Sequence, residues 1–329
     1  MKAVVMRSFG GPEVMAVEDV RLAEPGPGEA LVQVMAAGVN FMDTGVRRGI
    51  PGQPTLPMTP GVEGAGVVQA VGAGVVDVRP GDRVAWYYIG GSYAKQLVAP
   101  VSQLVPLPEP ISFDQAASLM MQGLTASNLV SDVYAIKPGD VALVHAAAGG
   151  VGLLLVQMIK RLGGKVIGRV SHADKVDVVL QAGADYAVIG RAGNIAGQVL
   201  RLTEGRLLDV VYDGTGAEGF EESVRLLEHF GTLALYGPLM DPIAPVDIFS
   251  LPRSIKLTYP VVMHHVRTRE ALLERSRQLF DAVTAGQLRT TIGKRYPLSQ
   301  AAQAHRDLES RNSTGKLIIR PQADERVVV

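Results

Sequence analysis

The chain has no cysteine in 329 residues. That excludes disulfides, thiolate metal sites and a cysteine nucleophile. Net charge is lacking as well, since 32 Lys and Arg balance 32 Asp and Glu. No overall field draws the molecule to nucleic acid or to an anionic membrane surface. Met1 to Phe9 alternates like a strand and lacks the long apolar stretch of a secretion signal, so the expectation is a cytoplasmic protein. What is present is globular in character. Apolar residues make up 47% and charged residues 19%, too apolar for a disordered chain. The length suggests about two domains.

One stretch lacks formal charge altogether. The nineteen residues Val141 to Ile159 read V-A-L-V-H, A-A-A-G-G-V-G, L-L-L-V-Q-M-I. An apolar run, a glycine cluster and an apolar helix in succession describe a strand, a tight turn and a helix N-terminus whose amides approach a pyrophosphate. The stretch is long enough to span a bilayer. His145, Gln157 and Gly149-Gly150 interrupt it, however, and Asp140 and Lys160 bound it. A plainer alternative is a buried strand and helix whose small residues serve packing alone.

Texture changes along the chain. Up to about residue 110, short apolar runs (Ala30–Ala36, Gly66–Val71, Arg83–Tyr88) alternate with turn signals such as Pro25-Gly26-Pro27-Gly28, Gly72-Ala73-Gly74 and Pro80-Gly81-Asp82. This predicts a small, irregular β-barrel-like unit. Gln115–Tyr134 reads as two helical stretches broken near Gly123. Strands are then predicted at Val141–His145, Lys165–Val170, Tyr186–Ile189, Leu208–Tyr212 and Thr232–Tyr236. Helices between them are predicted at Gly152–Leu162, Asp174–Ala182, Ile195–Thr203 and Gly219–Leu227. Repeated βα units make a doubly wound parallel sheet. In the tail, Thr268–Ala285 has helical spacing with Leu272, Leu273, Leu279 and Val283 on one side. Leu298–Leu308 is a further helix and Gly315–Ile319 a last strand. The expected fold class is α/β, with the sheet domain (123–259) inserted into a β-rich domain (1–122 and 260–329). Pro51–Pro60 reads as a surface loop near the cleft, and Gln322–Val329 as an exposed tail.

The dinucleotide fingerprint G-x-G-x-x-G appears as Ala147-x-Gly149-x-x-Gly152, with alanine at the first position. Gly149 lets backbone approach phosphate and Gly152 permits close helix–strand packing. The next strand ends at Ser171, where an acid would bind the ribose hydroxyl of NAD. With no acid there and Lys175 one turn on, NADP is favoured. Arg169 and Arg191 are further cationic candidates. Lys175 also reads as an ordinary solvated lysine at a helix start.

Ordered short matches then carry a family resemblance. They are Ala37-Gly38-Val39-Asn40-Phe41-Met42-Asp43, Pro60-Gly61-Val62-Glu63-Gly64-Ala65-Gly66, Gly81-Asp82-Arg83-Val84, Gly123-Leu124-Thr125 and His145 through Gly152. Val211-Tyr212-Asp213, Tyr296-Pro297-Leu298, Ala304-His305 and Gly315-Lys316 complete them. The chain resembles the zinc-free, zeta-crystallin-like quinone oxidoreductases of the medium-chain dehydrogenase/reductase superfamily. The resemblance implies a GroES-like β-rich catalytic domain plus a Rossmann domain, and a homodimer formed through the sheet domain. Zinc-dependent relatives carry ligands where this chain has Asn40, Val62 and a residue near Met121, none of them suited to zinc. The four-cysteine zinc lobe is missing too. Glu63 remains, but one carboxylate does not hold zinc.

Carried over residue by residue, the resemblance places Asn40 and Asp43 beside the nicotinamide and substrate, with Thr125 on the nicotinamide side. Ala148, Gly149, Gly150, Val151 and Gly152 line the pyrophosphate, and Ser171 and Lys175 face the ribose phosphate. Tyr236 and Gly237 lie near the nicotinamide, and Lys316 closes the cleft from the tail. Two positions often tyrosine in bacterial relatives read Gly45 and Gly190, which leaves Arg191 as a substitute at the phosphate. Plainer readings stand beside these. Asn40 caps a turn, Asp43 caps a helix over Thr44–Arg48, and Trp86, Tyr87 and Tyr88 are barrel core. His145 packs at a strand end, and adjacent His264 and His265 diverge.

The implied reaction is NADPH-dependent reduction of a quinone, with Asn40 and nearby amides polarising the acceptor oxygen. Reduction of an enone or enoyl double bond is the near alternative. A nucleotide-binding crystallin-like or RNA-binding role is the alternative of another class.

Overall fold

Four consecutive buried apolar residues, Ala3 to Met6, open the chain as a strand. In the computed structural model, which describes residues 1–50, 55–237 and 243–323, β1 (Lys2–Met6) and β2 (Met15–Asp19) pair as an antiparallel hairpin. Then come β3 (Glu29–Val39), helix α1 (Phe41–Arg48), β4 (Glu63–Val71), β5 (Arg83–Tyr87), β6 (Gln96–Pro100), β7 (Val105–Pro106) and α2 (Phe113–Leu119). The chain continues through α3 (Gln122–Asn128), a π-helical turn at Leu129–Val133, β8 (Val141–Val144), α4 (Gly150–Arg161), β9 (Lys165–Val170) and α5 (Val176–Gln181). Next are β10 (Tyr186–Ile189), α6 (Ala196–Leu202), β11 (Leu208–Asp213), α7 (Phe220–Leu226), β12 (Leu227–Leu235) and β13 (Lys256–Thr258). Last come α8 (Arg269–Thr284), β14 (Ile292–Pro297), α9 (Ala301–Glu309) and β15 (Lys316–Arg320). Two units result, Met1–Met121 with Thr268–Val329, and Gln122–Arg267.

The first unit is built on a seven-stranded sheet of order β14-β15-β3-β4-β5-β7, with β6 also on β3. Along β3, Ala30, Val32, Val34 and Ala36 are buried at every second position, the period of a strand with one face on the core. Trp86 and Tyr87 are buried, and Trp86 Nε1 donates to Ser92 Oγ at 2.9 Å. Helix α9 lays Ala301, Ala304 and Leu308 onto this core. Strand β14 is absent from the sequence expectation. It is a sheet edge whose middle residues Gly293, Lys294 and Arg295 are exposed, so it has no apolar alternation to read. Of the expected loop Pro51–Pro60, residues 51–54 lie outside the described residues, while Met58 is paired with Met6. Of the expected exposed tail, 324–329 lie outside them too, and Gln322 is held by donating to Val34 O and Lys95 O.

The second unit carries six parallel strands in the order β10-β9-β8-β11-β12-β13. Counted from β8, that is 3-2-1-4-5-6, the doubly wound dinucleotide-binding order. The uncharged stretch 141–159 is thus a strand and a helix, not a membrane span. No helix among the described residues is long and apolar enough to cross a membrane. The helical break expected near Gly123 falls at Met120–Met121, and β12 begins at Leu227, five residues earlier than expected. An irregular register against β11 lets Leu227 pair with Leu208. Leu143, in the middle of β8, is fully buried among Ile167, Val211 and Leu233. Leu143→Ala should therefore cost about 2–5 kcal/mol, measurable by urea unfolding.

Candidate functional site

In the second unit, β8 gives way to α4 through His145-Ala146-Ala147-Ala148. Ala146 takes a left-handed φ of 50°, and Gly149 N–H closes the turn on Ala146 O at 2.9 Å. Gly149 is the N-cap of α4, whose first bond is Leu153 N–H to Gly149 O. The amides of Gly150, Val151 and Gly152 lie ahead of that bond, at the positive end of the helix dipole. No acidic residue stands in the first turn. A Cβ on Gly152 would lie 2.5 Å from Ala146 O and 2.7 Å from Ala147 Cα, so glycine lets the helix press on its own turn. Ala148 is buried and Gly149, Gly150 and Val151 are half-buried. The turn also sits where the strand order reverses, between β8 and β11. These features fit a diphosphate.

Ser171 follows β9 and is half-buried. Lys175 ends the short turn Ala173–Lys175 and is buried, so it is not the solvated lysine of the plainer reading. Burial lowers its ammonium pKa. Arg191 is largely exposed, and its Nε donates to Glu218 Oε1 at 2.7 Å. Arg169 is buried, with Nε donating to His145 Nδ1 at 3.2 Å and Nη1 to Gly190 O at 3.4 Å. His145 therefore carries its hydrogen on Nε2, 3.1 Å from Ser223 Oγ. Burial pushes the imidazole down to about 4, which keeps it neutral. Gly190 takes φ 152°, a conformation that disfavours the side chain often found there. Thr125 is half-buried on α3, which packs along α4. Tyr236 follows β12 and donates its backbone N–H to Asp213 O, and Gly237 is next.

In the first unit, helix α1 starts at Phe41 with Asn40 as N-cap. The expected helix over Thr44–Arg48 capped by Asp43 is corrected. Asp43 sits at the third helical position, where its Oδ2 accepts Asn40 N–H at 2.9 Å. Asn40 Oδ1 accepts from Lys316 Nζ at 2.8 Å, and Asn40 Nδ2 donates to Glu63 Oε2 at 2.8 Å. Lys316 Nζ lies 2.5 Å from the same Glu63 oxygen, while Glu63 Oε1 accepts Met121 N–H at 2.6 Å. Asn40, Glu63 and Lys316 are 5%, 0% and 1% exposed. Lys316, expected to close the cleft from the tail, is an interior ammonium bound to Glu63 and Asn40. Asn40 was expected, with nearby backbone amides, to polarise the acceptor oxygen; its side chain donates to Glu63 and accepts from Lys316.

Asp43 Oδ2 also accepts from Tyr93 Oη at 3.0 Å, while its buried Oδ1 makes no hydrogen bond among the described residues. Burial raises the carboxyl to about 7, against the opposing Asn40 and Tyr93 hydrogen bonds. Sequence reasoning missed Tyr93 and Arg47, and took His305 only as part of a matching dipeptide. Arg47 was legible as the basic end of a short helix, but nothing in its spacing shows that it is fully buried. Among the described residues no three His, Asp or Glu could share a metal ion.

Residues 26–109 match the alcohol dehydrogenase GroES-like domain family, and 182–319 match the zinc-binding dehydrogenase family. The latter stretch contains none of Asn40, Val62 and Met121. A quinone oxidoreductase of Pseudomonas aeruginosa is 39% identical, covering 97% of this chain and 99% of the relative. A 2-haloacrylate reductase of Burkholderia is 36% identical over 98% and 99%. The crystal structure of Escherichia coli quinone oxidoreductase complexed with NADPH superposes with a TM-score of 0.93 at 34% identity, covering 98% of this chain and 100% of that one. The chain belongs to the zinc-free quinone oxidoreductase branch of the medium-chain dehydrogenases/reductases.

Two outcomes follow from the buried charges. Lys316→Met leaves Glu63 buried without its cation and should cost about 3–5 kcal/mol, read by denaturant unfolding. For Asp43 the folded pKa of about 7 lies above its ordinary 3.8. The native state thus binds the extra proton between those values. The stability it contributes is full below the lower value and is lost as pH rises through the upper one. Asp43→Asn should then be more stable than the parent at about pH 8, by on the order of a few kcal/mol. The gain should vanish near pH 4 in thermal unfolding across pH.

Proposed function

We propose that this protein is an NADPH-dependent quinone reductase that works without a metal. One observation carries the reading: the chain keeps the diphosphate turn at 146–152 but fills the zinc-ligand positions with Asn40, Val62 and Met121, tied together around Glu63. The solved Escherichia coli relative holds NADPH, and the non-acidic Ser171 with nearby Lys175 supports the phosphorylated cofactor here. NADPH, when bound, supplies the hydride.

The chain's own residues bind and orient. Amides of Gly150, Val151 and Gly152 hold the diphosphate, with Ala148 and Gly149 shaping the turn. Ser171, Lys175 and Arg191 take the ribose phosphate, and Thr125, Tyr236 and Gly237 the nicotinamide side. In the β-rich catalytic unit, Asn40 and Asp43 serve the acceptor, Asn40 as an immobilised N-cap whose side chain is held by Lys316 and Glu63. Hydride addition to a quinone gives a hydroquinone monoanion, which takes its proton from solvent.

Reduction of an activated double bond is the second reading, favoured by the 2-haloacrylate reductase among the relatives. A homodimer is supported by β13, which ends the sheet among the described residues, and by the exposed apolar side chains of Ile248 and Phe249. The zero net charge supports an enzyme of small molecules, with no overall field to draw it to nucleic acid or to an anionic membrane surface.

The test is NADPH and NADH oxidation against quinones, alkenals and crotonyl thioesters. Quinone-dependent NADPH oxidation is expected. Turnover confined to alkenes would favour the second reading, and salt-dependent RNA retention without turnover would favour a binding protein. Lys175→Ala should raise the KM for NADPH about tenfold and leave that for NADH unchanged. An effect from Arg191→Ala alone would move the phosphate assignment.

A further inference from the structure

We propose that Tyr93 and His305 are positioning residues for the reaction: with Arg47 they form a one-way chain of hydrogen bonds that sets the ionisation of Asp43 and, through Asp43, the placement of Asn40. The direction of the chain follows from its first member. A guanidinium has no acceptor, so Arg47 Nη1 donates to His305 Nδ1 at 3.1 Å. That puts the single imidazole hydrogen on Nε2, which donates to Tyr93 Oη at 3.2 Å. The phenol proton is then committed to Asp43 Oδ2 at 3.0 Å. Asp43 in turn receives the Asn40 backbone N–H on the same oxygen.

The chain cannot reverse near neutral pH. Burial, then the neighbouring Arg47, pushes His305 down to about 3. A second proton on that ring would have to sit on Nδ1, facing the guanidinium. Arg47 itself is fully buried and locked by Nη2 to Glu309 at 2.7 Å and by Nε to Gly10 O at 3.1 Å. Burial, then Asp43, raises the Tyr93 phenol well above 10. Charged groups face Asp43 from other elements as well: Lys316 on β15 favours its carboxylate and Glu63 on β4 opposes it. Among its neighbours, Tyr93 is the one whose hydroxyl can be deleted with little change of shape.

Two networks thus meet on one residue. Lys316 and Glu63 fix the Asn40 side chain, while Arg47, His305, Tyr93 and Asp43 fix its backbone. The proposal rests on the reading of Asn40 and Asp43 as acceptor-side residues, so its test includes a measurement that needs no substrate. In full-length protein carrying 13C-labelled aspartate carboxyls, the Asp43 titration is followed by NMR in the parent and in Tyr93→Phe. The midpoint should move up by about one pH unit, and the limb of the pH–kcat profile that follows Asp43 should move with it. His305→Ala, which removes the donor to Tyr93, should give a smaller shift in the same direction and serves if Tyr93→Phe fails to fold. An unmoved midpoint in the variants overturns the chain. A moved midpoint with a stationary rate limb overturns the positioning role. A parent without quinone turnover would instead sink the reductase reading and leave the titration standing.

Discussion

An interior ammonium against an interior carboxylate constrains everything built around it. Lys316 and Glu63 are both withdrawn from water, and each alone would carry a large desolvation penalty. They are tolerable only in contact, with their remaining hydrogen-bonding capacity engaged. That demand reaches into the backbone. A Cβ on Gly38 would collide with Glu63 Oε2, Ala117 O and Lys316 Cε, so β3 must carry glycine where the pair passes. It also explains why the tail returns. Lys316 lies on β15, which pairs with β3 through Leu317 and Val39, and only that pairing brings the cation within reach of β4.

The same pair accounts for a GroES-like unit without the zinc-ligand residues of its zinc-dependent relatives. A metal at this place would draw three segments together by coordination. Here Glu63 draws the same three: it is adjacent to Val62, accepts from the Asn40 side chain and accepts the Met121 amide. A carboxylate with two oxygens and several lone pairs can serve as such a hub, provided a cation neutralises it. The consequence is rigidity without Lewis acidity, which suits a reaction whose difficult step belongs to the cofactor.

Much of this was legible in the chain, for identifiable reasons. The parallel sheet announced itself through βα repeats, because strands buried on both faces are uniformly apolar. Strands β9 and β10 fall at the expected residues. The short β13 and the exposed β14 were not legible, since a three-residue strand has no period and an edge strand tolerates charge. Gly152 was read correctly as a packing glycine, because adjacent elements of one motif fix its surroundings. The burial of Lys316 was not legible, for the opposite reason. Its partners are 253 and 276 positions away, and no local pattern distinguishes an interior lysine from an exposed one. Tyr93 escaped notice likewise and His305 was read only within a matching dipeptide, since nothing local shows that the fold brings them together.

The titration behaviour of this unit bears on which acceptor it serves. Tyr93 is held above 10 and His305 at about 3, so within this chain only Asp43, at about 7, changes charge near neutrality. Yet Asp43 is 1% exposed and its bonded oxygen is already shared between Asn40 and Tyr93. It is better placed to tune the fold around Asn40 than to hand a proton outward. An enone demands a proton at carbon, where transfer from water is slow without a positioned acid. A quinone places the incoming charge on oxygen, which water protonates readily. In this hydrogen-bond chain the near-neutral acid faces inward, which matches acceptors whose reduced oxygen needs no donor from it.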